Sequence, residues 1–279
     1  MILEPTLPIE RVYDILIGKI RSYFAGAGLS KAVIGLSGGV DSALVAALAT
    51  DALGAKNVHG IMMPSGFSTG HSVTDSEALA ANLGISTETI PIGPIYDSAM
   101  ESMARFFEDG RWDTTQENIQ ARIRGLILMA YSNRFNALVL NTSNKSELST
   151  GYGTLYGDLA GAIMVIGDLY KVQVYELCRY INRSGERIPE HILTKAPSAE
   201  LRPGQKDSDS LPEYAVLDRV LHALNEEGLT PEQVLDAAED KAAAERALSL
   251  RRKSSFKAMQ VPPVLTVSSA PLLPPFKCL

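Results

Sequence analysis

The sequence predicts an α/β protein, a doubly wound parallel sheet with helices on both faces. Three observations carry that expectation. Short runs rich in Val and Ile alternate with longer runs whose apolar residues recur at helical spacing. The runs follow one another as strand, helix, strand, helix, the order that parallel strands with crossover helices require. The first short run ends in Ser37-Gly38-Gly39-Val40-Asp41-Ser42, a glycine turn between a strand and a helix start. Such sheets bind their ligands at the carboxyl ends of strands.

Taken in order, residues 8–27 place Val12, Ile15, Leu16, Ile20 and Phe24 on one face of a helix, ended by Gly26 and Gly28. That face is either core or a contact surface. Residues 32–36 read as a buried strand and 40–53 as the helix after it. Strand 58–63 leads to helix 73–83, strand 86–90 to helix 95–107, and helix 116–131 to strand 137–140. A helical run at 174–181 contains Cys178. The last third predicts helices at 213–227, 231–240 and 241–249, then a Pro-rich tail from Val261 to Pro275. Residues 64–70 and 202–212 are rich in turn formers and read as loops; beside a ligand site they are candidate lids. The expected organisation is a single domain over 1–279: an N-terminal helix to residue 30, a nucleotide-binding core at 31–200, and a mobile loop, helices and tail at 201–279.

Composition narrows the partners. The 279 residues are 46% hydrophobic and 21% charged, an ordinary globular balance. A net charge of −6 without a basic block argues against a protein that wraps nucleic acid. No apolar run approaches bilayer length, and the start Met1-Ile2-Leu3-Glu4-Pro5 lacks the basic-then-apolar pattern of a secretory leader. The two cysteines, Cys178 and Cys278, form no CxxC pair and no metal-ligand spacing. Cys178 is expected in the core and Cys278 in solvent, and a reducing cytoplasm fits this usage.

A buried strand, a glycine turn and a helix start make an anion site. The glycines let the backbone approach the ligand, and free N–H groups at the helix start point at it. The loop has no Lys where a Walker A loop needs one and is not a GxGxxG fingerprint. It resembles the PP-loop of the ATP pyrophosphatases, SGGxDS, which cleave ATP between its α and β phosphates and adenylate a substrate. A plain Ser/Gly turn with Asp41 at a helix N-terminus is the alternative. A second segment, Asn141-Thr142-Ser143-Asn144-Lys145-Ser146-Glu147, follows strand 137–140. It reads as a helix cap, with Ser143 or Asn144 capping and Glu147 reaching back. It also reads as a nucleotide contact at Thr142 with Asp41 and Glu147 holding Mg²⁺, an ion that takes few carboxylates and keeps phosphates and waters in its shell. The two roles are compatible.

Gly151-Tyr152-Gly153-Thr154-Leu155-Tyr156-Gly157-Asp158 continues that segment. With Gln116-Glu117-Asn118-Ile119-Gln120-Ala121-Arg122-Ile123-Arg124 and Pro197-Ser198-Ala199-Glu200-Leu201 it matches one branch of the PP-loop proteins. From about Arg11 to about Pro263 the chain resembles NAD synthetase. The resemblance implies that ATP adenylates the nicotinate carboxylate of deamido-NAD (nicotinic acid adenine dinucleotide), and that ammonia then displaces AMP to give NAD. It implies that Gly35, Leu36, Ser37, Gly38, Gly39, Val40, Asp41 and Ser42 hold ATP phosphates, with Asp41 and Glu147 on Mg²⁺. Thr142 and Ser198 would contact ATP, Met62 would line the adenine, and Lys171 would neutralise phosphates and share the catalytic work with Asp41. Arg122 would hold the dinucleotide and Lys257 its phosphates. Read alone, Met62 is a core residue, Arg122 a solvated one and Lys171 a surface lysine at a helix start; Asp158 has no assigned role beyond capping a turn.

Two positions depart from the ammonia-dependent members, which often carry Lys and Asp where this chain has Leu155 and Ala162. The 155–158 and 198–207 stretches look more like the synthetase domain of glutamine-dependent enzymes. Only about thirty residues precede the first strand, so free ammonia or a separate glutaminase is the expected nitrogen source. A homodimer is expected, through the first helix or the helix at 116–131. The competing readings are another PP-loop ligase, such as the GMP synthetase class, and a non-catalytic nucleotide-binding protein.

Overall fold

The computed structural model describes residues 7–268. Its centre is a sheet of five parallel strands in the order β3-β2-β1-β4-β5. The strands are β1 (Lys31–Leu36), β2 (Val58–Met62), β3 (Ser86–Thr89), β4 (Ala137–Asn141) and β5 (Ile163–Met164). The helices before β5 are α1 (Ile9–Ala27), α2 (Val40–Leu53), α3 (Gly70–Leu83), α4 (Gly93–Ser102), α5 (Thr114–Phe135) and α6 (Lys145–Thr150). After it come α7 (Lys171–Ile181), α8 (Glu190–Thr194), α9 (Tyr214–Asn225), α10 (Pro231–Ala237) and α11 (Lys241–Ser254).

Alternation along β1 sorts the core into two layers. Ala32, Ile34 and Leu36 join the layer built with α1, α2, α3 and α7, whereas Val33 joins Val139 of β4 with Ile123 and Ile127 of α5. Helices thus cover both faces, as predicted. The chain builds outward from β1 to β3 and then returns to place β4 on the other side of β1. Strand order therefore reverses between β1 and β4, and a crevice opens at their carboxyl ends.

Helix α2 is buried from Ser42 to Ala49, because it lies between the sheet, α1, α3 and α7. Its alanines let those neighbours approach. The apolar face of α1 (Val12, Leu16, Ile17, Ile20, Phe24) packs into the same layer, so this predicted contact surface is core. On α5, by contrast, Leu126 and Met129 remain exposed on the outer side, 61% and 41% accessible. Residues of α9, α10 and α11 form a separate cluster with Tyr170 and Leu211.

Several boundaries differ from expectation for local reasons. Helix α3 starts at Gly70 because Thr69 caps it, its side chain accepting from Ser72 N. The predicted helix at 95–107 stops at Ser102 and continues as a 3-10 turn at Ala104–Phe106. Helix α5 begins earlier, at Thr114, where Asp113 and Gln116 form a capping box, and ends where Asn136 turns left-handed. Strand β5 was not predicted: two residues are too few to show an alternation. Cys178 is buried as expected, and Cys278 lies outside the described residues. Among the described residues no helix is long and apolar enough to cross a membrane.

Candidate active site

A cavity of about 770 Å³ lies in the crevice and is bounded by the loops after β1, β2 and β4. The loop after β1 is braced by its own serines. Ser42 Oγ donates to the Gly39 carbonyl (3.0 Å) and accepts from Ser37 N (3.3 Å), while Gly39 N donates to Ser37 Oγ (3.2 Å). Gly39 supplies no side-chain cap to α2, so the helix-start amides face the cavity. Gly38 has φ +74°, and a Cβ there would lie 2.5 Å from the Ser72 carbonyl oxygen of α3. Gly38→Ala is expected to displace that wall and strain the turn, lowering stability by about 1–3 kcal/mol and weakening nucleotide binding at least tenfold. Thermal melts and a nucleotide titration check both; an unchanged affinity would show that the turn does not set the cradle.

The loop after β4 is fixed from both sides. Asn141 donates to the carbonyls of Asp158 (2.7 Å) and Ala160 (2.9 Å) and accepts from Ser143 N (2.8 Å). Asn144 caps α6 by accepting from Glu147 N (3.0 Å), and Glu147 Oε2 accepts from Asn144 N (3.3 Å). Asn144 Nδ2 also donates to Asp41 Oδ1 (2.9 Å), tying this loop to the first.

Between the two loops stands Lys171, the first residue of α7. Its Nζ donates to Asp41 Oδ2 (2.6 Å) and Glu147 Oε1 (3.2 Å), and the Tyr214 ring lies 5.0 Å away. With 2% of its surface accessible it is not the surface lysine that a helix start alone suggests. Burial works to lower the Lys171 pKa, but Asp41 and Glu147 together raise it, so the ammonium keeps its proton. Burial pushes the Glu147 carboxyl up to about 8; Lys171 opposes this, while Asp41 and Asp207 add to it. Once Glu147 loses its proton, two carboxylates and one ammonium leave one negative charge facing the cavity. Asp207 is held beside them by the hydroxyls of Tyr152 (3.1 Å) and Tyr214 (2.9 Å), which donate to it.

The pair Asp41 and Glu147 fits Mg²⁺: hard oxygen donors and an open side toward the cavity. Among the described residues no group of three or more His, Cys, Asp or Glu converges on a metal position. A magnesium ion here would draw the rest of its shell from water and from the phosphates of a bound nucleotide.

The other sequence candidates fall as follows. Gly35, Leu36, Ser37, Gly39, Val40, Ser42, Met62, Thr142, Ser198 and Lys257 line the cavity, and Gly38 backs it against Ser72. Ser198 Oγ donates to the Gln205 carbonyl (2.6 Å). Lys257 Nζ donates to the carbonyls of Gly151 (2.8 Å) and Gly153 (2.6 Å), bracing that turn. Arg122 is exposed on α5, outside the cavity lining, with Nε donating to the Leu155 carbonyl (3.3 Å). Asp158 accepts from Thr154 N (2.8 Å), so it does cap a turn, and desolvation raises its pKa. Leu155 packs against Leu148 and Leu159, and Ala162 N joins the sheet edge at the Val139 carbonyl.

Three contributors were not singled out from sequence. Asn144 was weighed only as a cap, yet it also bridges the loops. Asp207 lies in the 202–212 stretch, which reads only as a loop or candidate lid. Glu200, at φ +50°, reaches across to the start of α3: its carboxylate accepts from Thr69 N (3.2 Å), Thr69 Oγ1 (2.9 Å) and Ser72 Oγ (2.8 Å).

A family model described as NAD synthase matches residues 12–261. The glutamine-dependent NAD(+) synthetase of Synechocystis sp. is 47% identical over 264 residues, covering 95% of this chain and 47% of that protein. The chain thus spans about half the length of the curated relatives it matches. The NH3-dependent NAD synthetase of Campylobacter jejuni, solved with nitrate ion, superposes with TM-score 0.74 at 32% identity, covering 90% of this chain and 96% of that one. The NMN synthetase of Francisella tularensis superposes with TM-score 0.73 at 31% identity, covering 90% and 96%.

Proposed function

From a chain that belongs to the NAD synthase family, we infer an ATP-dependent ligase that amidates the nicotinate carboxylate of deamido-NAD with ammonia, releasing AMP and pyrophosphate. One observation carries the reading: Asp41, Glu147 and Lys171, from three separate elements, meet at the open ends of β1 and β4 beside a cradle of helix-start amides. A carboxylate is a poor electrophile because its charge repels a nucleophile and it has no good leaving group. Adenylation supplies AMP as the leaving group. In this reading Gly35 to Ser42 hold the triphosphate, Thr142 and Ser198 contact the nucleotide, and Met62 lines its base. Asp41 and Glu147 hold Mg²⁺, which supplies charge neutralisation at the phosphates. Lys171 keeps the two carboxylates together and presents a positive charge to the same place. The work is positioning and electrostatics, without a covalent enzyme intermediate.

The test uses the purified protein with ATP, Mg²⁺, ammonium and deamido-NAD. NAD, AMP and pyrophosphate are the expected products; ADP and phosphate would reject the mechanism, and no turnover would favour a nucleotide-binding protein. Nicotinate mononucleotide belongs in the same assay, because similarity to an NMN synthetase makes a mononucleotide acceptor the second reading. Running the same assay with glutamine in place of ammonium tells which nitrogen source is used. We also propose a homodimer through the outer side of α5, where Leu126 and Met129 are exposed, and a cytoplasmic location.

A pH dependence follows from Glu147. A carboxyl raised to about 8 in the folded protein binds its proton more tightly there than in the unfolded chain. The stability it supports is therefore present at low pH and lost as pH rises through about 8. Magnesium must displace that proton, so the Mg²⁺ concentration for half-maximal activity should fall roughly tenfold from pH 7 to pH 8.5. The thermal stabilisation that Mg²⁺ gives with nucleotide should grow over the same range. A Mg²⁺ requirement that does not change with pH would remove Glu147 from the metal shell.

A further inference from the structure

Arg124 lines the cavity from α5, two residues beyond the arginine that sequence reasoning selected. Its Nε donates to the Met63 carbonyl at the end of β2 (3.1 Å). Among the described residues no carboxylate comes within ion-pair distance of its guanidinium, and nothing accepts from its two terminal nitrogens. The neighbouring cations are committed: Lys171 to Asp41 and Glu147, Lys195 to Asp75, Arg202 to Glu117 and Asp209, and Lys257 to two carbonyls. Burial pulls the Arg124 pKa down, with only the more distant Asp158 and Glu200 opposing. A desolvated cation without a counter-ion is costly. A guanidinium held by Nε and open at its other two nitrogens is shaped to grip an anion through two parallel hydrogen bonds.

Position identifies the anion. One side of Arg124 is the β2 end, where Met62 and Met63 wall the proposed nucleoside pocket. The other is the turn at 153–158, which lines the same cavity and carries Asp158, one of the two carboxylates that act on the Arg124 charge. The group that must lie between a nucleoside and an incoming carboxylate is the α-phosphate of ATP. We propose that Arg124 grips this α-phosphate and stabilises the charge that develops on it during adenylation. The inference rests on the ligase reading above. In the step, a carboxylate oxygen forms a bond to the α-phosphorus. The bond from that phosphorus to the oxygen bridging it to the β-phosphorus breaks, and its electron pair leaves with pyrophosphate. No proton is transferred.

The experiment measures deamido-NAD-dependent exchange of labelled pyrophosphate into ATP, without ammonium, for the wild type and for Arg124→Lys, Arg124→Gln and Arg124→Ala. Wild-type exchange is expected, with Arg124→Gln at least a hundredfold slower in kcat and its KM for deamido-NAD changed less than threefold. Arg124→Lys should retain part of the rate, and millimolar guanidinium should restore part of it to Arg124→Ala, a rescue that a merely structural role would not give. If the neutral variants fail to fold, Arg124→Lys decides: a rate within twofold of wild type overturns the proposal. A rise in KM for deamido-NAD with kcat unchanged also overturns it, because the guanidinium would then serve the second substrate. Absence of exchange in the wild type would instead sink the ligase reading, and this inference with it.

Discussion

Asp41→Asn should lower turnover at least a hundredfold and leave the fold intact. The substitution keeps an acceptor for Asn144 Nδ2, which now donates to Asp41 Oδ1 (2.9 Å). It places an amide N–H₂ where Asp41 Oδ2 accepts from Lys171 Nζ (2.6 Å), so a donor faces a donor. It also removes one of the two carboxylates proposed for Mg²⁺, leaving Lys171 and Glu147 with no net negative charge to attract the ion. Losing one preorganised electrostatic contact at a reacting phosphate costs about a hundredfold to a thousandfold in rate. Pyrophosphate release at saturating ATP and Mg²⁺ measures the effect, and a melting curve confirms folding. A rate within a few-fold of wild type would remove Asp41 from the metal site and leave it as the partner of Lys171 alone.

The largest stability change is expected at Lys145→Met. Lys145 is fully buried, donates to Asp168 Oδ1 (2.9 Å) and Glu226, and sits 4.9 Å from the centre of the Tyr170 ring. Asp168 in turn accepts from the backbone N–H groups of Val267 and Ser268 (2.7 Å each), so the network joins α6, α9 and the last described segment. Methionine fills the space but leaves two carboxylates without their cation. Breaking a buried pair in this way costs about 3–5 kcal/mol, a drop in Tm on the order of 10 °C for a domain of this size. Denaturant unfolding gives the free energy directly. Adding Glu226→Gln should recover part of the loss, since it removes one stranded charge. A cost below about 1 kcal/mol would mean that the network relaxes around the change.

Both lysines show where sequence reading reaches its limit. Lys145 lies between Thr142 and Glu147 in a motif that points to phosphate, yet it is absent from the cavity lining and serves the core. Lys171 stands at a helix start far along the chain and closes the site. Linear spacing does not tell which side of a loop a long side chain takes. Arg122 and Arg124 repeat the point on a helix: two residues apart, they face nearly opposite ways at 3.6 residues per turn. Only the packing of α5 on β4 and β1 selects Arg124 for the cavity.

The sheet was more legible because its signals are local. Alternating apolar runs, the glycine turn and the strand-to-helix order predicted four of the five strands, and helix α2 has the predicted bounds. Strand β5 escaped because it exists only through tertiary pairing, with β4 on one side and Val264 on the other. Glu200 escaped because its role depends on a helix start 131 residues earlier in the chain.

That contact ties the rim of the cavity to its floor. Glu200 belongs to the stretch bordering the mouth, but three of its hydrogen bonds hold the first turn of α3, whose Ser72 backbone presses on Gly38. Its carboxylate is an anionic cap for that helix, so neutralising Glu200 at the rim is expected to be felt behind the glycine turn as well.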